Sequence, residues 1–426
     1  MDPEIISLLI LAGCIVLFVT RVIPNAVTAC LGCLAFALTG VCSLTEAFSG
    51  FSNSTVLLMF GMMVVGIAMD NTGSAKLIGK WVHKVSASKE WLFILIAGTA
   101  SAVLSTFLSN TAVIAIFLPI IASLSASGNM DRKNITLPVT MGAMFGGVCT
   151  LVGSTPQLTA NGIISEMSGI ELQMFDYMPV GLILFAVYML YSLTIGRKIA
   201  KMTWGNSSSV EVEMNDADNT IQDVVVDKRK LITIVIILVF VLVSFIGAWL
   251  PAATTAIIAA ILCLVTGCTT QKQVFKSMDW SVVFILAGCL GIAAGITSGG
   301  AGELMSDVLS SIIGNSTPPI VLFAIFVAAT MIISNFITNS TAVVITLPIA
   351  VALCSSYNLN VLPFALGIVY AANLTYSTPL ANAQTAMTLV AGYKFSDYIK
   401  YTWLLNIIVL ITIIIFVPIF MPLSNI

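Results

Sequence analysis

One stretch of this chain occurs twice. Residues 104–119 read L-S-T-F-L-S-N-T-A-V-I-A-I-F-L-P, and residues 333–348 read I-S-N-F-I-T-N-S-T-A-V-V-I-T-L-P. In each, a polar knot interrupts a long apolar run: Ser109-Asn110-Thr111 in the first, Thr338-Asn339-Ser340 in the second. A proline, Pro119 or Pro348, follows nine residues after each asparagine. In a soluble protein such a knot would read as a helix cap. The surroundings argue otherwise. Apolar runs near the ~20 residues a helix needs to cross a bilayer recur along the whole chain. Only 8% of the residues are charged, where a soluble domain carries about 25%. Such a chain is a polytopic helical membrane protein.

The apolar runs lie at 5–20, 25–43 and 54–70, then in a long stretch 91–125, a Gly/Pro-interrupted stretch 136–164 and a span 178–196. The first lacks a basic flank and so reads as a span, not a cleaved signal peptide. A polar segment, 198–230, rich in Asp, Asn and Ser, reads as a flexible linker. Beyond it the same order returns: 231–250, 252–269, 279–297, a long stretch 319–355, an interrupted stretch 362–390, and 401–422. Residues 54–73 align without gaps on 281–300, Gly61 falling on Gly288, and Gly153-Ser154-Thr155-Pro156 has its counterpart in Tyr376-Ser377-Thr378-Pro379. The expected fold is an all-α polytopic membrane protein of two inverted repeats, 1–197 and 231–426. Each repeat has five transmembrane helices, one of them broken, plus one re-entrant helical hairpin. Duplicated halves with broken helices in matching positions point to a secondary transporter whose site lies at the repeat interface. Solenoid and propeller repeats are far shorter.

Charge sets the expected orientation. With Lys76, Lys80, Lys84 and Lys89 inside, all 17 Lys and Arg fall on the cytoplasmic side, as the positive-inside rule requires. Loops 165–177 and 299–318 hold Glu166, Glu171, Asp176, Glu303 and Asp307 and no base. Both termini are then extracytoplasmic, the linker 198–230 cytoplasmic, and the halves inverted. A helix of about 35 residues would reach ~50 Å against a ~30 Å hydrocarbon core. Stretches 91–125 and 319–355 are therefore either paired full spans or re-entrant hairpins. Their uncharged polar tips suit a tip buried within protein.

No Asp, Glu, Lys, Arg or His lies near the middle of a span, which argues against a buried-acid proton relay. The nine cysteines lack metal spacing and the single histidine, His83, sits in a polar loop, so neither a metal centre nor an enzyme is expected. What remains at depth is neutral oxygen. One half offers Ser105, Thr106, Ser109, Asn110, Thr111, Ser154 and Thr155; the other offers Ser334, Asn335, Thr338, Asn339, Ser340, Ser377 and Thr378. Amide, hydroxyl and freed carbonyl oxygens suit Na⁺, and half-helix N-termini attract anions. Such residues also serve as packing glue at about 0.6 kcal/mol each, and for Thr106 or Asn335 alone that reading stays open. The equivalent placement of Asn110 and Asn339 favours function. Trp81, Trp91 and Trp280 read as interfacial anchors.

At these residues the sequence resembles the divalent-anion/sodium symporter family of the ion-transporter superfamily. The resemblance rests on 47–73, Ser109-Asn110-Thr111, 146–157 (GGVCTLVGSTPQ) and 339–348. It implies one Na⁺ site from Ser105, Ser109, Asn110 and Gly153, and another from Ser334, Thr338 and Asn339 with the backbone at Tyr376 and Ser377. The anion would be lined by Asn110, Thr111, Ser154, Thr155, Asn339, Ser340, Ser377 and Thr378. It further implies a homodimer in a prokaryotic plasma membrane, an elevator-type mechanism, and no nucleic-acid partner. The sequence departs from the family in Thr338-Asn339-Ser340 at the second tip, and in Thr-Pro where Pro-Pro is usual. The expected function is Na⁺-coupled symport of a small divalent anion, a C4-dicarboxylate before sulfate or citrate. A metalloid or Na⁺/H⁺ carrier of the superfamily, and an ion channel, are the alternatives.

Overall fold

The computed structural model describes residues 2–74, 77, 82, 89–126, 130–204, 227–247, 249–302, 304, 317–379 and 382–424. Most of the expected linker, together with Lys76, Lys80, Trp81, His83, Lys84, Glu303 and Asp307, lies outside the described residues. The described residues are about 80% helical, with no strand among them.

The first half supplies α1 Pro3–Thr20, α2 Asn25–Leu38, α3 Ser54–Asn71, α4 Glu90–Ser105, α5 Asn110–Ala126, α6 Arg132–Gly147, α7 Thr155–Ser168 and α8 Met178–Trp204. The second supplies α9 Lys228–Gly247, α10 Ala252–Val265, α11 Trp280–Ser298, α12 Pro319–Ser334, α13 Asn339–Ser356, α14 Val361–Asn373, α15 Ala383–Met387 and α16 Phe395–Phe420. Among the described residues, seven helices are long and apolar enough to cross a membrane: α1, α3, α8, α9, α11, α13 and α16. On α16, Trp403, Ile407, Ile411, Ile415 and Ile419 are all exposed. Their spacing of four places them on one helix face, an apolar stripe suited to lipid.

Helix ends are written in the sequence. The chain leaves α3 through Gly73 and α11 through Gly300, at φ +73° and +71°; only glycine takes this left-handed turn without cost. The two glycines are the aligned ends of 54–73 and 281–300.

The halves interlock through small residues. A Cβ on Gly61 would stand 2.6 Å from the Ala256 backbone, so α3 of the first half packs closely on α10 of the second. A Cβ on Gly288 would stand 2.6 Å from the Ala29 Cβ, so α11 of the second half packs on α2 of the first. Small residues at membrane helix crossings let backbones approach where a hydrophobic driving force between helices is missing. Each half thus lends its third helix to the other.

Residues 106–109 join α4 to α5, and residues 335–338 join α12 to α13, both within the expected hairpins. Pro119 and Pro348 lie inside α5 and α13 and break neither. The interrupted stretch 136–164 is two helices, α6 and α7, parted at 148–154. Its expected counterpart 362–390 differs: α14 ends at Asn373, and the second arm is the five-residue α15 followed by a 3-10 turn, Thr388–Ala391. Polar side chains explain the shortening. The Asn382 side chain caps Thr385 N at 2.8 Å, and the Thr385 and Thr388 hydroxyls turn back onto the carbonyls of Thr378 and Thr385. Hydroxyls and amides that bond nearby backbone compete with a continuing helix.

Candidate functional site

The first tip is built on Asn110, the buried first residue of α5. Its Oδ1 accepts the hydroxyl of Ser105, the last residue of α4. Gly147, ending α6, lies against it: a Cβ there would meet Asn110 Oδ1 at 2.3 Å. Only glycine admits the amide. Ser109 Oγ accepts from Ala112 N at 3.3 Å, which caps α5. The Thr150 hydroxyl donates to Thr106 O at 2.8 Å, tying the interrupted region to the hairpin. Gly153 folds back on Gly147, whose carbonyl a Cβ would meet at 2.1 Å.

The second tip repeats the plan with more oxygen. Ser334 Oγ lies 3.3 Å from Asn339 Oδ1, 2.6 Å from Ala372 O and 3.3 Å from Thr375 Oγ1. Thr375 Oγ1 in turn lies 3.1 Å from Asn339 Oδ1 and from Ala372 O. Four oxygens therefore meet with two hydroxyl protons among them. Among the described residues, no charged side chain takes part in either cluster. Thr338 is turned to its own helix, its hydroxyl 2.6 Å from that of Thr341.

Both asparagines face two ways. Each turns its side-chain oxygen to the serine five residues earlier, and the Nδ2 of neither donates to a described residue. An oxygen-rich side thus lies back to back with an N–H side. Thr111, Thr155 and Ser340 are half-buried, with hydroxyls bonded to no described residue.

Hydrogen bonding corrects the apparent pairing of Gly153-Ser154-Thr155-Pro156 with Tyr376-Ser377-Thr378-Pro379. The Thr378 hydroxyl donates to Asn335 O at 2.6 Å, the counterpart of Thr150 bonding Thr106 O. Gln157 Nε2 reaches Gly147 O at 2.7 Å and Thr150 O at 3.3 Å. In the second half Asn382 Nδ2 reaches Thr375 O at 2.7 Å, and the Thr385 hydroxyl reaches Thr378 O at 3.1 Å. Thr378 therefore corresponds to Thr150, and Asn382 to Ser154. Ser377 is drawn elsewhere: its hydroxyl lies 2.8 Å from that of Thr402 on α16 and accepts from Asn406 Nδ2. Tyr376 is buried, its ring stacked on Phe145 at 5.8 Å. Thr375, Asn382, Gln157 and Asn373 were missed from sequence. The legible signal was Thr150-Leu151-Val152-Gly153 against Thr378-Pro379-Leu380-Ala381.

The tips are joined across the halves. Asn373 of α14 accepts the Ser154 hydroxyl at Oδ1, 2.7 Å, and donates through Nδ2 to Gln157 Oε1 at 2.9 Å and Val369 O at 3.1 Å. A cavity of about 560 Å³ between α3 and α10, lined by Phe60, Val64, Ile257 and Phe275 among others, shares no residue with the tips. Its lining is mostly apolar, with Thr269, Thr270 and Gln271 the polar exceptions.

A family described as "Citrate transporter" matches residues 15–351 and, in an overlapping second match, 316–424. The chain belongs to the citrate transporter family. The family and its relatives are transporters and not enzymes. This citrate-transporter-family chain is 31% identical over 196 residues to the uncharacterized transporter YfbS of Escherichia coli, a match covering 46% of the chain and 32% of that relative. It is 24% identical over 432 residues to an uncharacterized transporter of Haemophilus influenzae, covering 96% and 90%. It is 22% identical over 442 residues to the sodium-dependent dicarboxylate transporter SdcS of Staphylococcus saprophyticus, covering 94% and 83%. The fold is similar to the YdaH transporter of Alcanivorax borkumensis (TM-score 0.65, 12% identity, all of both chains). It is also similar to MtrF of Neisseria gonorrhoeae (TM-score 0.66, 12% identity, 98% and 95%).

Proposed function

We propose that this transporter is a Na⁺-coupled symporter of a small divalent anion, with a C4-dicarboxylate such as succinate as its substrate. The observation that carries the reading is the two-faced placement of Asn110 and Asn339. Their oxygens, with Ser105 on one side and Ser334, Thr375 and Ala372 O on the other, form neutral clusters suited to a monovalent cation. Their free N–H groups, the unbonded hydroxyls of Thr111, Thr155 and Ser340, and the starts of α5 and α13 suit an anion. No Arg or Lys among the described residues stands there to grip it, so bound Na⁺ would supply the positive charge. Anion and Na⁺ affinities must then rise together, because linkage is reciprocal.

The dicarboxylate carriers among the relatives support the coupling ion and the substrate class. The exchange of third helices between halves supports two inverted repeats, 1–197 and 231–426, whose tips at 91–125 and 319–355 re-enter from opposite sides. The elevator-type movement and the homodimer rest on the resemblance alone. The family description favours citrate as a second reading. Uptake into proteoliposomes of labelled succinate, citrate and sulfate, with a Na⁺ gradient and with choline replacing Na⁺, tests both. Succinate uptake that needs Na⁺ is the expected result. Equal uptake in choline would refute the coupling, and Na⁺-driven uptake of citrate alone would replace the substrate.

A further inference from the structure

The cavity between α3 and α10 changes character from its walls to its mouth. Phe60 and Val64 line it from α3, and Ile257, Ile261 and Leu264 line it from α10. Spacings of three and four keep each set on one helix face, so the walls form an apolar trough along about 10 Å of α10. At one end the trough meets Thr269, Thr270 and Gln271. Asn71, the last residue of α3, donates from Nδ2 to Thr269 Oγ1 at 2.9 Å and ties the two helix ends together there. Trp280 stands beside this end, its ring stacked on Phe275 at 5.4 Å and tilted against Phe60 at 6.4 Å. Tryptophan is the residue that marks the polar boundary of a membrane.

Exposed bases gather at the same end. Lys272 and Lys276 lie on the short helix Gln271–Ser277, and Lys228, Arg229 and Lys230 open α9. The start of α9 is adjacent, since Cys268 Sγ lies 3.8 Å from Lys230 O. The described acids here are Asp70, Asp227 and Asp279. Two of them turn to backbone: Asp227 accepts from Arg229 N at 3.0 Å and Asp279 from Val282 N at 3.4 Å. The ion pair formed among the described residues, Arg197 with Glu90, includes none of these bases.

We propose that this groove binds one anionic phospholipid, with an acyl chain in the trough and the phosphate at Thr270, Gln271 and the surrounding bases. The trough alone selects no lipid, because lipid tails are as apolar as its walls. Selection falls to the mouth, where bases between membrane helices take anionic headgroups. A second copy of the chain is the rival occupant. A two-fold contact on this face would bring the same bases to one seam from both sides, and like charges repel, whereas a lipid phosphate offsets them. The inference depends on neither the proposed substrate nor the coupling ion.

Native mass spectrometry of the detergent-purified full chain, given equal phosphatidylglycerol and phosphatidylcholine with matched acyl chains, tests the site. The wild type is expected to retain one phosphatidylglycerol per polypeptide, preferred over phosphatidylcholine about tenfold or more. The combined variant Arg229→Gln, Lys272→Gln, Lys276→Gln changes exposed side chains only and should lose that preference. Ile261→Trp, at a position already 53% exposed, fills the trough and should lower retention of both lipids. Equal retention of the two lipids by the wild type overturns the proposal, as does an undiminished preference in the glutamine variant. Retention untouched by Ile261→Trp would mean that the headgroup is held without the groove, which overturns it too. Phosphatidylglycerol bound by the monomer and expelled from a dimer would assign the groove to a second copy instead.

Discussion

Gly61 in the first half lies directly on Ala256 in the second, and the aligned Gly288 lies on Ala29. At the first contact, a side chain would meet backbone carbonyl at 2.6 Å, an obstacle that cannot rotate away. Gly61→Val and Gly288→Val should each cost on the order of 1–3 kcal/mol through forced separation of the helices. Gly13, with open space around its Cβ direction, is the control, and Gly13→Ala should be neutral or slightly stabilising. The heating midpoint of the detergent-purified protein, followed by size exclusion, reads the difference. Equal tolerance at all three positions would mean the close approach is not needed.

The two-faced asparagines predict a split between alanine and aspartate. Asn339→Ala removes the oxygen and the N–H groups together. It should raise the half-saturating Na⁺ concentration at least about tenfold, or ~1.4 kcal/mol. Asn339→Asp keeps the oxygen and adds charge, so Na⁺ should bind at least as well while anion uptake is lost. Asn110→Ala and Asn110→Asp should divide in the same way. If both substitutions behave alike in ²²Na⁺ binding and in uptake, the asparagines are packing residues.

The corrected pairing predicts opposite outcomes at two neighbouring positions. Asn382→Ala should reduce Na⁺-driven uptake at least about tenfold, because Asn382 holds the Thr375 carbonyl beside the second oxygen cluster. Ser377→Ala should leave uptake within about twofold, since its partners are Thr402 and Asn406. Uptake assays on matched expression levels decide. The reverse order would restore the pairing read from the Ser-Thr-Pro string.

Orientation can be checked at exposed, described positions. A cysteine replacing Glu171 should react with an impermeant maleimide from outside intact cells, and one replacing Lys272 only after permeabilisation. The native thiols are buried except for the partly exposed Cys30, so Cys30→Ser removes the main background. Both sites labelling from one side would end the inverted-repeat reading.

The sequence was most legible where local chemistry alone decides structure. Asn110 and Asn339 were singled out by their setting, and both open helices in the structure. The gapless match of 54–73 with 281–300 marked both the left-handed turns at Gly73 and Gly300 and the close contacts of Gly61 and Gly288. It was misleading where a short string recurs by coincidence. Ser154-Thr155-Pro156 and Ser377-Thr378-Pro379 are identical in type, yet the first surrounds a helix start and the second lies in non-helical chain that bends at Ser377 and Pro379. What aligns the halves there is which hydroxyl reaches the hairpin carbonyl, and the offset from Thr150 to Thr378 matches that from Asn110 to Asn339 to within one residue, a spacing that the Ser-Thr-Pro string obscured. Gln157 and Asn373 were invisible for a different reason. They bond each other across more than 200 residues of chain, and nothing local distinguishes them from ordinary helix-interface amides.

The exchange of helices between halves also bears on how the protein is made. Gly61 leaves the ribosome roughly 200 residues before Ala256, a delay of roughly 10–40 s at the ~5–20 residues per second of synthesis. Ala29 waits longer still for Gly288. Through that interval α2 and α3 sit in lipid with the surfaces around Ala29 and Gly61 still waiting for their partners in the second half. A ribosome that stalls in the linker would release an early half whose contact surfaces were shaped for helices not yet translated, a natural substrate for membrane quality-control proteases. Co-expression of residues 1–197 and 198–426 as separate chains should rescue each from degradation, because the partner that each one lacks is the other.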